Sequence, residues 1–118
     1  MAVHSPFSSS KYQVGLIGVG VMGEALISGL VSSRFPKAQI VFTEKRADRA
    51  REIAAKYGAR EVELAELVKT SDVILLVVKP QDLAALLGSI SKDLSKGALL
   101  VSFAAGKATS FISERVGP

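Results

Sequence analysis

The sequence predicts an α/β fold in which a parallel sheet is covered by helices on both faces, a doubly wound arrangement. Three observations carry this. Short apolar runs alternate with stretches of helical period. The apolar runs are continuous rather than alternating, as in strands buried on both faces. Successive runs are separated by helical crossovers rather than two-residue turns, and parallel pairing requires such crossovers.

The elements follow in order. Val14-Gly15-Leu16-Ile17 is a brief, glycine-bounded apolar run and reads as the first strand. Residues 22–33 place Met22, Leu26, Ile27 and Leu30 at helical spacing. Residues 39–43 form a second strand. Residues 47–57 are rich in helix formers and stop at Gly58, a C-cap residue by type and position. A short extended piece at 60–62 leads into a brief helix, 64–69. Val73-Ile74-Leu75-Leu76-Val77-Val78 is the strongest strand and is closed by Pro80. Residues 82–90 read as helix, 98–103 as strand and 109–116 as a final helix. The pattern ends at Gly117-Pro118, where another strand is expected, so the chain reads as cut.

Composition narrows the possible functions. The chain has 118 residues, 48% of them hydrophobic and 22% charged, the balance of one packed domain. Residues 12–118 are expected to form that domain. Residues 1–11 hold a proline and four serines without periodicity and read as a flexible leader. The leader lacks the apolar centre of a secretory signal, and a cytoplasmic location is the expectation. No apolar run approaches the roughly 18 residues of a membrane span, so no membrane partner is expected. A net charge of +4 is too small to imply nucleic acid. Without cysteine there is no thiol nucleophile and no Cys-ligated zinc. The single histidine, His4, lies in the leader, so no metal site is expected.

Gly18-Val19-Gly20-Val21-Met22-Gly23 fits G-x-G-x-x-G directly after a predicted strand and at the start of a predicted helix. In that setting the three glycines differ in purpose. Gly18 permits a tight turn, Gly20 lets a pyrophosphate approach the backbone, and Gly23 lets the helix pack closely. Free N–H groups and the helix dipole favour phosphate charge there. The expectation is a Rossmann-type dinucleotide site.

The end of the second strand should then meet the adenosine ribose. Glu44 lies 21 residues after Gly23, close to the roughly 20 expected of an acid on the 2′-hydroxyl of NAD. Lys45 and Arg46 follow at once and could neutralise the 2′-phosphate of NADP, with Glu44 turned aside to pair with one of them. From Lys45 to Arg60 there are six basic residues and two acids. Arg49, Arg51 and Lys56 read as a solvated helix face. Lys79-Pro80 ends the strongest strand on the edge where such sheets bind ligands, and Pro80 suits the first turn of the next helix. Three small residues within Ser102-Phe103-Ala104-Ala105-Gly106 leave room for a flat ring.

Together GLIGVGVMGEALISGL, SDVILLVVKPQ and LLVSFAAGK, in this order and spacing, resemble the N-terminal half of pyrroline-5-carboxylate reductase. The resemblance runs over residues 13–117. It implies that Ile17, Gly18, Val19, Gly20, Val21 and Met22 hold the pyrophosphate, with Gly23 behind them. It implies that Val77, Val78, Lys79 and Pro80 pass beneath the nicotinamide side, and that Phe103, Ala104 and Ala105 border the ring. The implied reaction is reduction of a small cyclic imine, 1-pyrroline-5-carboxylate, to L-proline. NADP is the expected cofactor and NAD the alternative. The catalytic proton donor is not identifiable.

The sequence departs from the family in three places. Glu44 stands where members often carry a small polar residue for the 2′-phosphate. Leu64 stands where an Asn frequently contacts the cofactor. The helical domain, which brings homo-oligomer formation and much of the substrate pocket, does not follow, so this portion is expected to be inactive by itself. Alternatives are the cofactor domain of a β-hydroxyacid or deazaflavin-dependent NADP oxidoreductase, or a free-standing dinucleotide-binding regulatory module.

Overall fold

The computed structural model describes residues 12–94 and 97–103. Strand β1 (Val14–Ile17) leads through helix α1 (Val21–Ser32) to β2 (Ile40–Thr43). Helix α2 (Ala47–Tyr57) and the two-residue β3 (Arg60–Glu61) follow, then α3 (Leu64–Thr70), β4 (Val73–Leu76), α4 (Pro80–Ile90) and β5 (Leu99–Ser102). The strands pair in the order β3-β2-β1-β4-β5, and every pairing is parallel. Strand β1 is central: the chain builds outward to β3, then returns to β1 and builds outward again to β5. The direction of winding reverses between β1 and β4, so the sheet is doubly wound as predicted.

Alternation along the strands divides the core between the two faces. Val14, Leu16, Ile40 and Phe42 meet Ile27 of α1 and Ala50 and Ile53 of α2. Ile17, Val41, Ile74 and Leu76 meet Leu67 and Val68 of α3 and Leu83, Leu87 and Ile90 of α4. Gly15 lets α3 approach β1, since a Cβ there would lie 2.7 Å from Leu67 and 2.5 Å from the Ser71 hydroxyl.

The predicted boundaries hold to within two residues, and the shifts have local causes. Gln39 closes a 3-10 turn (Lys37–Gln39) instead of opening β2. Helix α2 ends at Gly58 as expected, with φ 76° and its N–H on the Ala54 carbonyl. Helix α4 starts at Pro80 rather than at residue 82, because the fixed φ of proline serves the first helical position. Strand β4 stops at Leu76, two residues short of the apolar run. The Val77 N–H still reaches the Ile17 carbonyl at 2.9 Å, but β1 turns away at Gly18 and no longer pairs with Val78. The remaining apolar residues therefore lie on the C-terminal rim of the sheet. The leader, Ala104, Ala105 and the predicted helix 109–116 lie outside the described residues. No described helix is long and apolar enough to cross a membrane.

Candidate dinucleotide site

At the C-terminal ends of the strands a cleft of about 1120 Å³ opens between the β1–α1 turn, the ends of β2 and β4, and α4. Its position is set by the reversal of winding, which leaves the turns after β1 and β4 diverging to opposite faces.

The glycines of the β1–α1 turn fall into two groups. Gly18 has φ 93°, a conformation strained for any side chain, and a Cβ there would land on the Val77 carbonyl oxygen. At Gly23 a Cβ would lie 2.6 Å from the Gly18 carbonyl oxygen, so the first turn of α1 leans directly on the loop. Gly20 differs: an added Cβ meets nothing within 4 Å. The protein's own packing requires glycine at 18 and 23 and is indifferent to it at 20, where the empty space belongs to the cleft.

The backbone N–H groups of this turn differ in their partners. The Gly18 N–H is taken by the Thr43 carbonyl at 3.0 Å and the Val19 N–H by Glu44 Oε1 at 2.8 Å. No side chain caps α1. Among the described residues, no acceptor meets the N–H groups of Gly20, Val21 and Met22. Three unpaired donors at a helix start form an anion-binding surface.

Glu44, just past β2, has a side chain only 7% exposed. Its second oxygen accepts from the Arg46 backbone N–H at 3.0 Å and from Arg46 Nε at 3.1 Å. Burial pushes its carboxyl up, but the hydrogen bonds from Arg46 and Val19 outweigh burial and hold it below the ordinary range. The sequence left two alternatives for Glu44, facing a ribose or pairing with a neighbouring base. The carboxylate pairs with Arg46 without leaving the rim of the cleft. Lys45 and Arg46 line the same rim.

Of the other predicted residues, Ile17, Gly18, Val19, Gly20, Val21, Met22, Val77, Val78, Lys79 and Phe103 line the cleft. Gly23 and Pro80 do not. Gly23 is buried behind the turn, and Pro80 is occupied in starting α4. Thr43, Leu64, Asp82, Ala85, Leu86 and Ser89 also line it. Except for Leu64, sequence reasoning did not single these out. The α4 residues among them were accessible to it, because 82, 85, 86 and 89 share one helical face.

One expectation is corrected. Arg51 and Lys56 are exposed, as a solvated face should be, but the Arg49 side chain is only 18% exposed. Arg49 Nε donates to the Val19 carbonyl at 3.0 Å and an Nη to the Gly20 carbonyl at 3.2 Å. The same guanidinium meets Glu24 and Glu52, both at 2.7 Å. Glu24 also accepts from Lys56 at 2.9 Å and from the Tyr57 hydroxyl at 2.5 Å. The Tyr57, Lys56 and Arg49 hydrogen bonds bring its carboxyl down to about 2. Arg49 escaped the sequence reading because the solvated-face assignment ignored a local sign: it adjoins the buried stripe of Ala50 and Ile53.

Comparison with known proteins agrees with this geometry. Residues 13–106 match the family described as NADP oxidoreductase, coenzyme F420-dependent. The chain is 37% identical over 98 residues to pyrroline-5-carboxylate reductase of Pseudomonas aeruginosa, covering 82% of this chain and 36% of that protein. It is 32% identical over 105 residues to pyrroline-5-carboxylate reductase 1 of Bacillus spizizenii, covering 86% of this chain and 35% of that one. The chain thus spans about a third of the length of these relatives. The structure of a pyrroline-5-carboxylate reductase from Coxiella burnetii superposes with a TM-score of 0.86 at 24% identity, over 92% of this chain and 41% of that one, which shows the shared fold. The chain belongs to the family of NADP oxidoreductases described as coenzyme F420-dependent, and within it resembles the N-terminal, dinucleotide-binding part of the pyrroline-5-carboxylate reductases.

Proposed function

We propose that this chain is the cofactor-binding part of an NAD(P)H-dependent pyrroline-5-carboxylate reductase. In this reading the pyrophosphate lies on the N–H groups of Gly20, Val21 and Met22. The nicotinamide lies toward Val77, Val78, Lys79 and Phe103, and Ala104 and Ala105 are assigned to its border. The observation that carries the proposal is Gly20, a glycine the protein's own packing does not need, beside three unpaired donors. A pyrophosphate that must approach the backbone supplies the missing reason for it. When bound, the dinucleotide supplies the hydride. The chain's own residues place it: the turn fixes the phosphates, Glu44 meets the ribose, and the strand ends form the floor.

Glu44 favours NAD(H), because an ionised, hydrogen-bonded carboxylate accepts from a 2′-hydroxyl and repels a 2′-phosphate. A second reading, NADP(H) with Lys45 and Arg46 on the 2′-phosphate, rests on their place on the rim and on the family's description. The proposal also takes residues 12–118 as the domain, after a leader of residues 1–11, and assigns the cyclic imine pocket and homo-oligomer formation to a helical domain of the full-length enzyme. A cytoplasmic setting and no nucleic-acid partner go with this reading. The test is calorimetric titration with NADH and NADPH, combined with a proline-formation assay. Binding with little or no turnover is expected. Absence of binding to either dinucleotide would refute the cofactor assignment. Robust proline formation by this chain would refute the division of labour between domains.

A further inference from the structure

The structure assigns Arg49, which does not itself line the cleft, the role of holding the phosphate-binding amides in their binding orientation. This inference rests on the dinucleotide reading above. A peptide unit is planar and trans, so its carbonyl and N–H point in opposite directions. The Val19 carbonyl and the Gly20 N–H belong to one unit, and the Gly20 carbonyl and the Val21 N–H belong to the next. Arg49 donates to both carbonyls, at 3.0 and 3.2 Å. By anchoring the two oxygens behind the turn, it points the two N–H groups away from itself, to the side where the cleft lies.

The need for such an anchor follows from Gly20. A glycine that is bare so that a ligand can approach is also free to rotate its two flanking peptide planes. No side chain caps the start of α1 to restrain them. The Glu24 N–H holds the Gly20 carbonyl at 2.9 Å, but among the described residues only Arg49 holds the Val19 carbonyl and bridges the two. Its guanidinium is already neutralised by Glu24 and Glu52 at 2.7 Å each. Arg49 is therefore a positioning residue, and its charge is spent inside the protein rather than on phosphate.

The test compares wild type with Arg49→Met and Arg49→Lys, using NADH, ADP and adenosine as probes. Met removes both bonds. Lys keeps the charge and the stem but cannot span two carbonyls with a planar fork. The expected result for R49M is a loss of about tenfold or more in affinity for NADH and ADP, with adenosine binding changed less than twofold. R49K should recover only part of that loss, and it serves as the test if R49M does not fold. The Gly20 and Val21 amide resonances of the ligand-free protein should shift in both variants. Affinities for NADH and ADP within twofold of wild type would overturn the proposal. So would an equal loss for adenosine, the mark of a general structural role, or unmoved Gly20 and Val21 resonances. If wild type binds neither NADH nor ADP, the dinucleotide reading is what fails. The amide resonances still decide whether Arg49 orients the turn.

Discussion

Replacing the turn glycines one at a time with alanine separates what the fold requires from what a ligand requires. At Gly20 the new methyl group meets no protein atom within 4 Å, and φ is −87°, so folding stability should change by no more than about 1 kcal/mol. At Gly18 the methyl faces the Val77 carbonyl from a backbone with φ 93°. Left-handed strain of about 1–2 kcal/mol adds to about 1–3 kcal/mol of overpacking. The sum, about 2–5 kcal/mol, corresponds to a fall of roughly 10–30 °C in Tm for a domain of this size. Circular dichroism melts give stability, and calorimetric titration with NADH gives affinity. Gly20→Ala should melt near wild type yet bind at least about tenfold more weakly, since its methyl occupies space assigned to the pyrophosphate. A G20A variant with wild-type affinity would refute that assignment. A G18A variant as stable as wild type would refute the close-approach argument.

Further outcomes follow from other contacts. Glu24 has its carboxyl brought down to about 2 in the folded chain. The stability it contributes is therefore present above the ordinary carboxylate range and lost as pH falls from there toward 2. Glu24→Gln should lower stability at pH 7 and flatten the acid limb of urea midpoints measured from pH 7 to 2.5, whereas parallel curves would contradict the network. Gly15→Ala should cost about 1–3 kcal/mol by pressing on the Ser71 hydroxyl and Leu67, and Leu67→Ala about 2–5 kcal/mol. Combined, they should cost less than their sum by at least about 0.5 kcal/mol, because the smaller side chain relieves the Leu67 part of the crowding; strict additivity in urea denaturation would rule out the Leu67 contact. Glu44→Ala should shift the NADPH-to-NADH affinity ratio toward NADPH by about tenfold, the worth of one charged hydrogen bond. An unchanged ratio by titration would remove Glu44 from the ribose.

Much of the fold was legible because local signals and tertiary structure agree. The apolar run at 14–17 is buried along its whole length, and Gly58 takes the left-handed conformation its position after α2 suggested. The length of β4 was not legible, since its pairing with β1 extends only as far as β1 does, and β1 is cut short by Gly18. In the site, G-x-G-x-x-G in its strand-to-helix setting located the turn, and Glu44 was found by its distance from it. The roles within that turn were not legible. Gly18 and Gly23 answer to atoms 59 residues and 5 residues away, and only the assembled sheet tells them apart from Gly20. Arg49 was misread for a related reason. Its periodicity marks it as flanking the buried stripe, but which neighbour it flanks depends on how α2 sits against α1.

The near contact of Gly18 with Val77 has a mechanical consequence. Two loops from opposite halves of the molecule pass each other there without an intervening side chain, since a Cβ on Gly18 would land on the Val77 carbonyl oxygen. A movement of either loop toward the other therefore meets backbone rather than a side chain that could turn aside. Farther out, the cleft is lined by the exposed side chains of Val21, Met22 and Phe103, which can change rotamer around a ligand, whereas its bottom is backbone against backbone.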